Sequence, residues 1–119
     1  MTSFKGTREA YAAALMDMAE EHSNIMVISP DSLKAMRAVA FGEKYPERYV
    51  ECGIAEQGAI DTAAGLASCG MIPFVGSYAG FLTMRGGEQM RTFVGYTNLN
   101  VKFIGVNAGI LRSEEHTSE

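Results

Sequence analysis

The residue best suited to chemistry in this chain is a glutamate, Glu56, which lies among small and apolar residues in the segment ECGIAEQGAI (51–60). Gly53 and Gly58 leave room for close approach by a ligand or another backbone. A carboxyl group held there with little water favours its protonated form, because desolvation disfavours the charge. It can then donate a proton or a hydrogen bond near neutral pH. The alternative is structural, since an acidic residue in a first helical turn interacts favourably with the helix dipole, by about 0.3–1 kcal/mol.

Other reactive residue types are few. Cys52 and Cys69 are not in CxxC spacing and each precedes a glycine, which favours buried reduced thiols over a disulfide framework or a metal site. His22 lies at the end of the first predicted helix, where a partly cationic side chain interacts favourably with the helix C-terminus. We therefore expect no metal site in this chain and no catalytic role for His22.

Charge and hydropathy exclude several classes of partner. The formal net charge is -4, and no basic stripe is present of the kind that contacts with a phosphate backbone require, so nucleic acid is not expected. No stretch of about 18 uninterrupted apolar residues predicts a membrane span. The N-terminal segment has neither an apolar core nor a small-residue cleavage site, which argues against a secretory signal. A cytoplasmic location is expected.

The last eight residues, RSEEHTSE (112–119), differ in character from the rest. They match a common sequencing-adapter read translated in frame, so we expect them not to be natural protein; the alternative is an ordinary polar tail. The domain is therefore predicted to span residues 1–111.

Hydrophobic patterning predicts alternating helices and strands, in the order α-β-α-β-α-β-α-β. Thr7 is the expected N-cap of the first helix, with Leu15 on its apolar face and Arg8 on its polar face. Pro46 is expected to end the second helix, and Gly70 to cap the third. The predicted strands are NIMVIS (24–29), RYVEC (48–52), MIPFVGS (71–77) and NVKFIGVNAG (100–109), and the later helices span about 32–44, 55–68 and 80–94.

This alternation predicts an α/β fold, a parallel sheet with helices on both faces, because the strands are continuously apolar. In such sheets ligands bind off the carboxyl ends of the strands. The loops SPDS (29–32), CGIAEQ (52–57) and GSYAGF (76–81) are all expected at that edge.

The segment PERYVECGIAEQGAIDTAAGLASCGMIPFVGSYAGFLTMR (46–85) resembles the pyrimidine-binding domain of thiamine diphosphate enzymes, and among them the C-terminal section of transketolase. The supporting features are an aspartate after the first strand, PER before the second, GIAEQ at a helix start, AAGLA before PF, and SYAGF followed by arginine. The resemblance covers nearly all of residues 3–109.

The resemblance implies a role for each of four residues. Glu56 is the catalytic glutamate that hydrogen-bonds N1' of the cofactor's aminopyrimidine and favours the imino tautomer, whose N4' deprotonates C2 of the thiazolium. Phe81 stacks on the aminopyrimidine, Tyr78 lines the same pocket, and Asp31 approaches the cofactor. Structural alternatives remain for two of them: Phe81 as a core residue and Asp31 as an Asx turn.

Three further residues, Gln57, Arg85 and Arg91, have less defined roles. Gln57 takes the place where many transketolases have histidine. Arg85 and Arg91 could reach an acidic group, although solvated arginines on a helix face are the preferred interpretation.

The resemblance also implies partners. Thiamine diphosphate would lie between this domain and a diphosphate-binding domain that carries Mg²⁺, whose GDG motif is missing here. Because Met1 directly precedes the domain, we expect a split transketolase whose N-terminal section is a separate chain, with a homodimer contact and sugar phosphate substrates. The alternatives are a fragment of 1-deoxy-xylulose-5-phosphate synthase, a 2-oxo acid dehydrogenase beta subunit, or a non-catalytic cofactor-binding module.

Overall fold

The structure, a computed structural model, describes residues 6–109. Its centre is a four-stranded sheet in the order β2-β1-β3-β4, with every neighbouring pair parallel. The strands are β1 (Ile25–Ser29), β2 (Tyr49–Glu51), β3 (Ile72–Tyr78) and β4 (Lys102–Val106). The predicted order of elements and the parallel sheet are confirmed, and the carboxyl ends of all four strands meet at one edge. The predicted tail, residues 112–119, lies outside the described residues.

Each face of the sheet carries its own hydrophobic core, because successive strand residues point to opposite faces. On one face, Ile25 and Val27 of β1 pack with α1 (Thr7–Glu21) and α2 (Val39–Lys44). On the other, Met26 and Ile28 pack with α3 (Glu56–Ser68) and α4 (Ala79–Arg85). Burying each large apolar side chain contributes roughly 1.5–3 kcal/mol, so helices on both faces are what make a fully apolar β1 stable.

The first helix differs from the prediction at its N-terminal end. Gly6 is the N-cap, with an extended backbone, and Thr7 is the first helical residue rather than the cap. Arg8 was expected on the solvated face but is only 6% exposed. Its guanidinium donates to the carbonyl oxygen of Ala35 at 3.2 Å. This contact with a segment 27 residues away is tertiary, which explains why helical periodicity alone misplaced Arg8.

The second helix is shorter than predicted, since only Val39–Lys44 is helical out of the expected 32–44. Before it, the N–H of Ser32 is taken by the Ser29 hydroxyl at 2.8 Å. Arg37 adopts a φ of 60°, a left-handed conformation that a right-handed helix cannot include. The helix ends one residue before Tyr45, as the following Pro46 predicted.

The third helix ends as predicted. Gly70 has a φ of 94°, and it completes a Schellman motif in which its N–H bonds Ala67 and the N–H of Met71 bonds Leu66, both at 3.1 Å. Cys69, beside it, was expected to be buried but is exposed, while Cys52 is half-buried; both thiols are free.

The fourth predicted helix is divided at Gly86. The segment forms α4, then α5 (Gly87–Gln89), then a π-helical stretch, Met90–Gly95. A Cβ at Gly86 would collide with the Ile60 side chain and come within 2.9 Å of the Leu82 carbonyl oxygen. The glycine therefore permits α4 to approach α3 closely, at the cost of a continuous helix.

Candidate active site at the carboxyl edge of the sheet

Glu56 is the first residue of α3 and is almost fully buried, with 4% of its surface exposed. Its position in the first turn agrees with the helix-dipole interpretation. Its burial does not, because a carboxylate that only complements a dipole can stay in water and avoid the cost of desolvation. The expectation that Glu56 is screened from solvent is thus met by the geometry.

Arg85, the last residue of α4, is the charged partner of Glu56. Its Nη1 donates to Glu56 Oε1 at 3.3 Å, and the arginine side chain is 51% exposed. The pair gives the buried Glu56 side chain a counter-charge. Both arginines are solvated and both also reach an acidic group: Arg85 is half exposed and pairs with the buried Glu56, whereas Arg91 is exposed and pairs with Glu88 one turn earlier.

One aromatic ring, that of Phe81, lies beside this ion pair and contacts a second ring, that of Tyr78. Tyr78 ends β3 and Phe81 lies in the first turn of α4; their centroids are 5.5 Å apart at an interplanar angle of 78°, an edge-to-face arrangement. The Arg85 guanidinium lies 4.1 Å from the centre of the Phe81 ring, within range of a cation–π interaction. Arg85 therefore contacts both Glu56 and Phe81.

An open cleft of about 500 Å³ lies over Glu56. Its lining includes Gln57, Gly58 and Arg85, and its rim carries two strongly exposed apolar side chains, Ile54 at 74% and Met84 at 85%. Glu56 is thus almost fully buried and yet lines an open cleft, which is the arrangement an acid needs to contact a ligand.

Asp31 lies in a second cavity, of about 380 Å³, together with Tyr78, Arg8, Lys34 and Arg37. The structure therefore connects Glu56 and Phe81 through Arg85, and brings Asp31 and Tyr78 together separately. The Tyr78–Phe81 contact joins the two groups. The turn at Asp31 uses Ser29 rather than the aspartate side chain, since the Ser29 hydroxyl accepts the Ser32 N–H.

Sequence reasoning missed Glu51, the last residue of β2. Its Oε2 accepts the N–H of Asp31 at 2.8 Å and of Gly53 at 2.7 Å, and its Oε1 accepts the Tyr49 hydroxyl at 2.6 Å. Desolvation raises the pKa of Glu51, but these hydrogen bonds outweigh it and hold the pKa below its usual value. In the sequence, the role of Glu51 was indicated only by its position two residues before Gly53.

Residues 6–109 contain neither a metal-ligand cluster nor a membrane-spanning helix. In that range no three His, Cys, Asp or Glu side chains come together as a metal site would require. None of the helices within it has the length and hydropathy needed to cross a membrane.

The fold and the cleft together define a parallel α/β domain with a buried acid and an aromatic pair at the carboxyl edge of its sheet. The family model described as transketolase, pyrimidine binding domain, matches residues 5–118, a range that includes most of the predicted tail. The chain belongs to this family.

Comparison with individual relatives agrees with this family membership. A Methanocaldococcus jannaschii protein named as a transketolase C-terminal section is 36% identical over 115 residues, which cover 97% of this chain and 36% of the relative. A 1-deoxy-D-xylulose-5-phosphate synthase of Mycobacteroides abscessus is 38% identical over 94% of this chain and 17% of its own length. A solved structure titled split gene transketolase, inactive beta4 tetramer, is 39% identical, with a TM-score of 0.75 over 83% of this chain and 33% of that one. The chain thus spans about a third or less of these proteins.

Proposed function

We propose that this chain is the pyrimidine-binding part of a split transketolase that transfers a two-carbon ketol unit between sugar phosphates once it is assembled with an N-terminal section. The observation that carries the proposal is the burial of Glu56 beneath a cleft whose lining residue Arg85 also contacts the Phe81 ring. When bound, thiamine diphosphate supplies the carbon nucleophile of this reaction.

The residues present fit the aminopyrimidine ring of that cofactor. Glu56 offers a carboxyl group that can share a proton with a ring nitrogen, and its burial strengthens such a bond by lowering the local dielectric. Phe81 and Tyr78 offer aromatic surface against which a flat ring can stack. Arg85 orients both Glu56 and Phe81, since it contacts each of them.

The diphosphate and Mg²⁺ are proposed to be held by the N-terminal section, because the described residues assemble no metal-ligand cluster. The solved relative titled split gene transketolase, inactive beta4 tetramer, supports an N-terminal partner section and an oligomeric assembly. Asp31, exposed at the mouth of the second cavity, is proposed to approach the cofactor. A cytoplasmic location stays a prediction.

The test is Glu56→Gln in the reconstituted two-chain enzyme. The amide cannot share a proton in the same way, so kcat should fall by at least about a hundredfold, with the far-UV circular dichroism spectrum unchanged. Glu43→Gln, at an exposed position on α2, is the matched control and should keep full activity. Near-normal turnover by Glu56→Gln would remove this residue from the mechanism.

The synthase relative favours a second candidate, a fragment of a 1-deoxy-D-xylulose-5-phosphate synthase. The same preparation should therefore be assayed for ketol transfer between sugar phosphates and for formation of 1-deoxy-D-xylulose-5-phosphate. Product of the second kind alone would replace the transketolase assignment while leaving the role of Glu56 intact.

A further inference from the structure

The Glu51 carboxylate joins two loops at the edge of the sheet where the proposed site lies. One oxygen, Oε2, accepts from Asp31 in the loop after β1 and from Gly53 in the loop after β2, at 2.8 and 2.7 Å. The other oxygen accepts the Tyr49 hydroxyl, which holds the carboxylate in place from within its own strand. Both loops are thus hydrogen-bonded to the same atom.

Both amides that donate to Glu51 belong to residues with left-handed backbones. Asp31 has a φ of 59° and Gly53 a φ of 71°. This region is unfavourable for a residue with a side chain, so Asp31 requires local interactions to stay there. A charge-assisted hydrogen bond to its N–H is such an interaction. The conformations of the two loops therefore depend on one side chain.

These loops lead directly into the proposed site. Gly53 is followed two residues later by Ala55, the N-cap of α3, and then by Glu56. The loop after β1 carries Asp31 and is fixed to β3 by the Ser32 hydroxyl, which donates to the carbonyl oxygen of Gly76. A change in the Gly53 turn would therefore move the start of α3, and the Glu56 carboxyl with it, relative to the rest of the edge.

We propose that Glu51 is a positioning residue whose carboxylate couples the Asp31 loop to the Gly53 turn and so pre-forms the site around Glu56. The proposal rests on the function proposed above for Glu56. Glu51 acts through the two loops, and its side chain is exposed on the surface rather than part of the cleft lining.

The surroundings of Glu51 keep it in the form this role needs. Its pKa is lowered, because the three donated hydrogen bonds outweigh desolvation. Tyr49 faces it with a pKa raised to about 12, by desolvation and then by the bond to Glu51. Asp31 and Cys52 are the other titratable groups nearby, and Asp31 contributes its amide. At neutral pH Glu51 is therefore an acceptor-only carboxylate facing three donors.

The test compares Glu51→Ala with Glu51→Gln. The glutamine retains one carbonyl oxygen that can accept both amides, and Tyr49 can turn to accept from its NH₂, so rescue is expected. Glu47→Ala, an exposed neighbour just before β2, is the control. Hydrogen exchange is measured at the Asp31 and Gly53 amides of the full chain, and thiamine diphosphate affinity is measured by calorimetry on the reconstituted enzyme.

In Glu51→Ala both amides should exchange at least about tenfold faster, and the Kd for the cofactor should rise about tenfold or more, as for other outer positioning groups. Glu51→Gln should recover most of the amide protection and most of the cofactor affinity. Faster exchange in one loop only, an unchanged Kd, or a glutamine variant as impaired as alanine would each overturn the proposal.

A parallel Glu56→Gln sample separates the two proposals. The exchange measurement does not depend on the cofactor, so it tests the coupling of the loops directly. Full activity in Glu56→Gln would refute the catalytic role proposed for Glu56, whereas loss of activity in that variant with normal exchange and affinity in Glu51→Ala would refute only the role of Glu51.

Discussion

Arg85→Met removes one partner of the ion pair in the candidate site. Arg85 Nη1 lies 3.3 Å from Glu56 Oε1, a separation at which two unit charges attract by about 1.3 kcal/mol in bulk water and about 5 kcal/mol at an effective dielectric constant of about 20. Arg85 is 51% exposed while Glu56 is buried, so solvent screening brings the value towards the lower limit. We expect Arg85→Met to lower the free energy of unfolding by about 1–2 kcal/mol, because it leaves Glu56 without its counter-charge.

The assay is equilibrium urea unfolding of the full chain, followed by circular dichroism at neutral pH. Arg91→Met is the matched control, because Arg91 is 74% exposed and its pair with Glu88 is on the surface; its effect should stay within about 0.5 kcal/mol. Arg85 also lies over the Phe81 ring, so a double-mutant cycle with Glu56→Gln is needed to separate the two contacts.

In the Glu56→Gln background Arg85→Met should cost clearly less, because the charge that Arg85 neutralises is gone. The reasoning would be refuted if Arg85→Met were no more destabilising than Arg91→Met. A coupling energy near zero in the cycle would equally show that the short distance carries no attraction.

Three further predictions concern stacking, close packing and acid stability. Phe81→Ala should weaken thiamine diphosphate binding to the reconstituted enzyme about tenfold, as calorimetry can measure, since ring stacking contributes about 0.5–1.5 kcal/mol beyond buried area. Gly86→Ala should destabilise the folded chain by about 1–3 kcal/mol, because the added Cβ would clash with Ile60. The control Gly87→Ala has open space around the new Cβ and should leave the thermal unfolding temperature unchanged or raise it. The pKa of Glu51 is lowered, so its contribution to the free energy of unfolding is fully present above about pH 4.3 and is lost as the pH falls through the folded pKa. The Glu51→Gln variant should therefore lose less stability on acidification than the unchanged chain, as measured by urea unfolding at several pH values.

The sheet could be predicted from sequence because each strand carries its own evidence. Residues 25–29 are buried throughout β1, and a continuous apolar run is what burial on both faces requires. Gly70 and Pro46 ended their helices for reasons that lie in their own backbones. These are local signals, and they need no knowledge of the rest of the fold.

Several of the errors arise where a distant residue decides the outcome. Arg8 is buried where the carbonyl oxygen of a residue 27 positions away accepts a hydrogen bond from its guanidinium. The Arg85–Glu56 pair spans 29 positions. Glu51 reaches Asp31 across 20 positions, between strands whose pairing no single segment encodes. The acid of the site was therefore found from its own neighbours, while the groups that orient it could be found only from the fold.

The role proposed for Glu56 sets two opposed requirements. In the isolated chain a buried carboxylate needs the positive charge of Arg85, whereas sharing a proton with a ring nitrogen needs an acid that is not fully committed to a counter-ion. The half-exposed position of Arg85 resolves this, because a side chain at the rim of the cleft can move towards water when a ligand takes its place at Glu56. Ile54 and Met84 lie on the same rim with most of their apolar surface exposed. A partner surface covering them would exclude water from the cleft and strengthen each remaining contact to Glu56, so assembly and activation of the acid would be coupled.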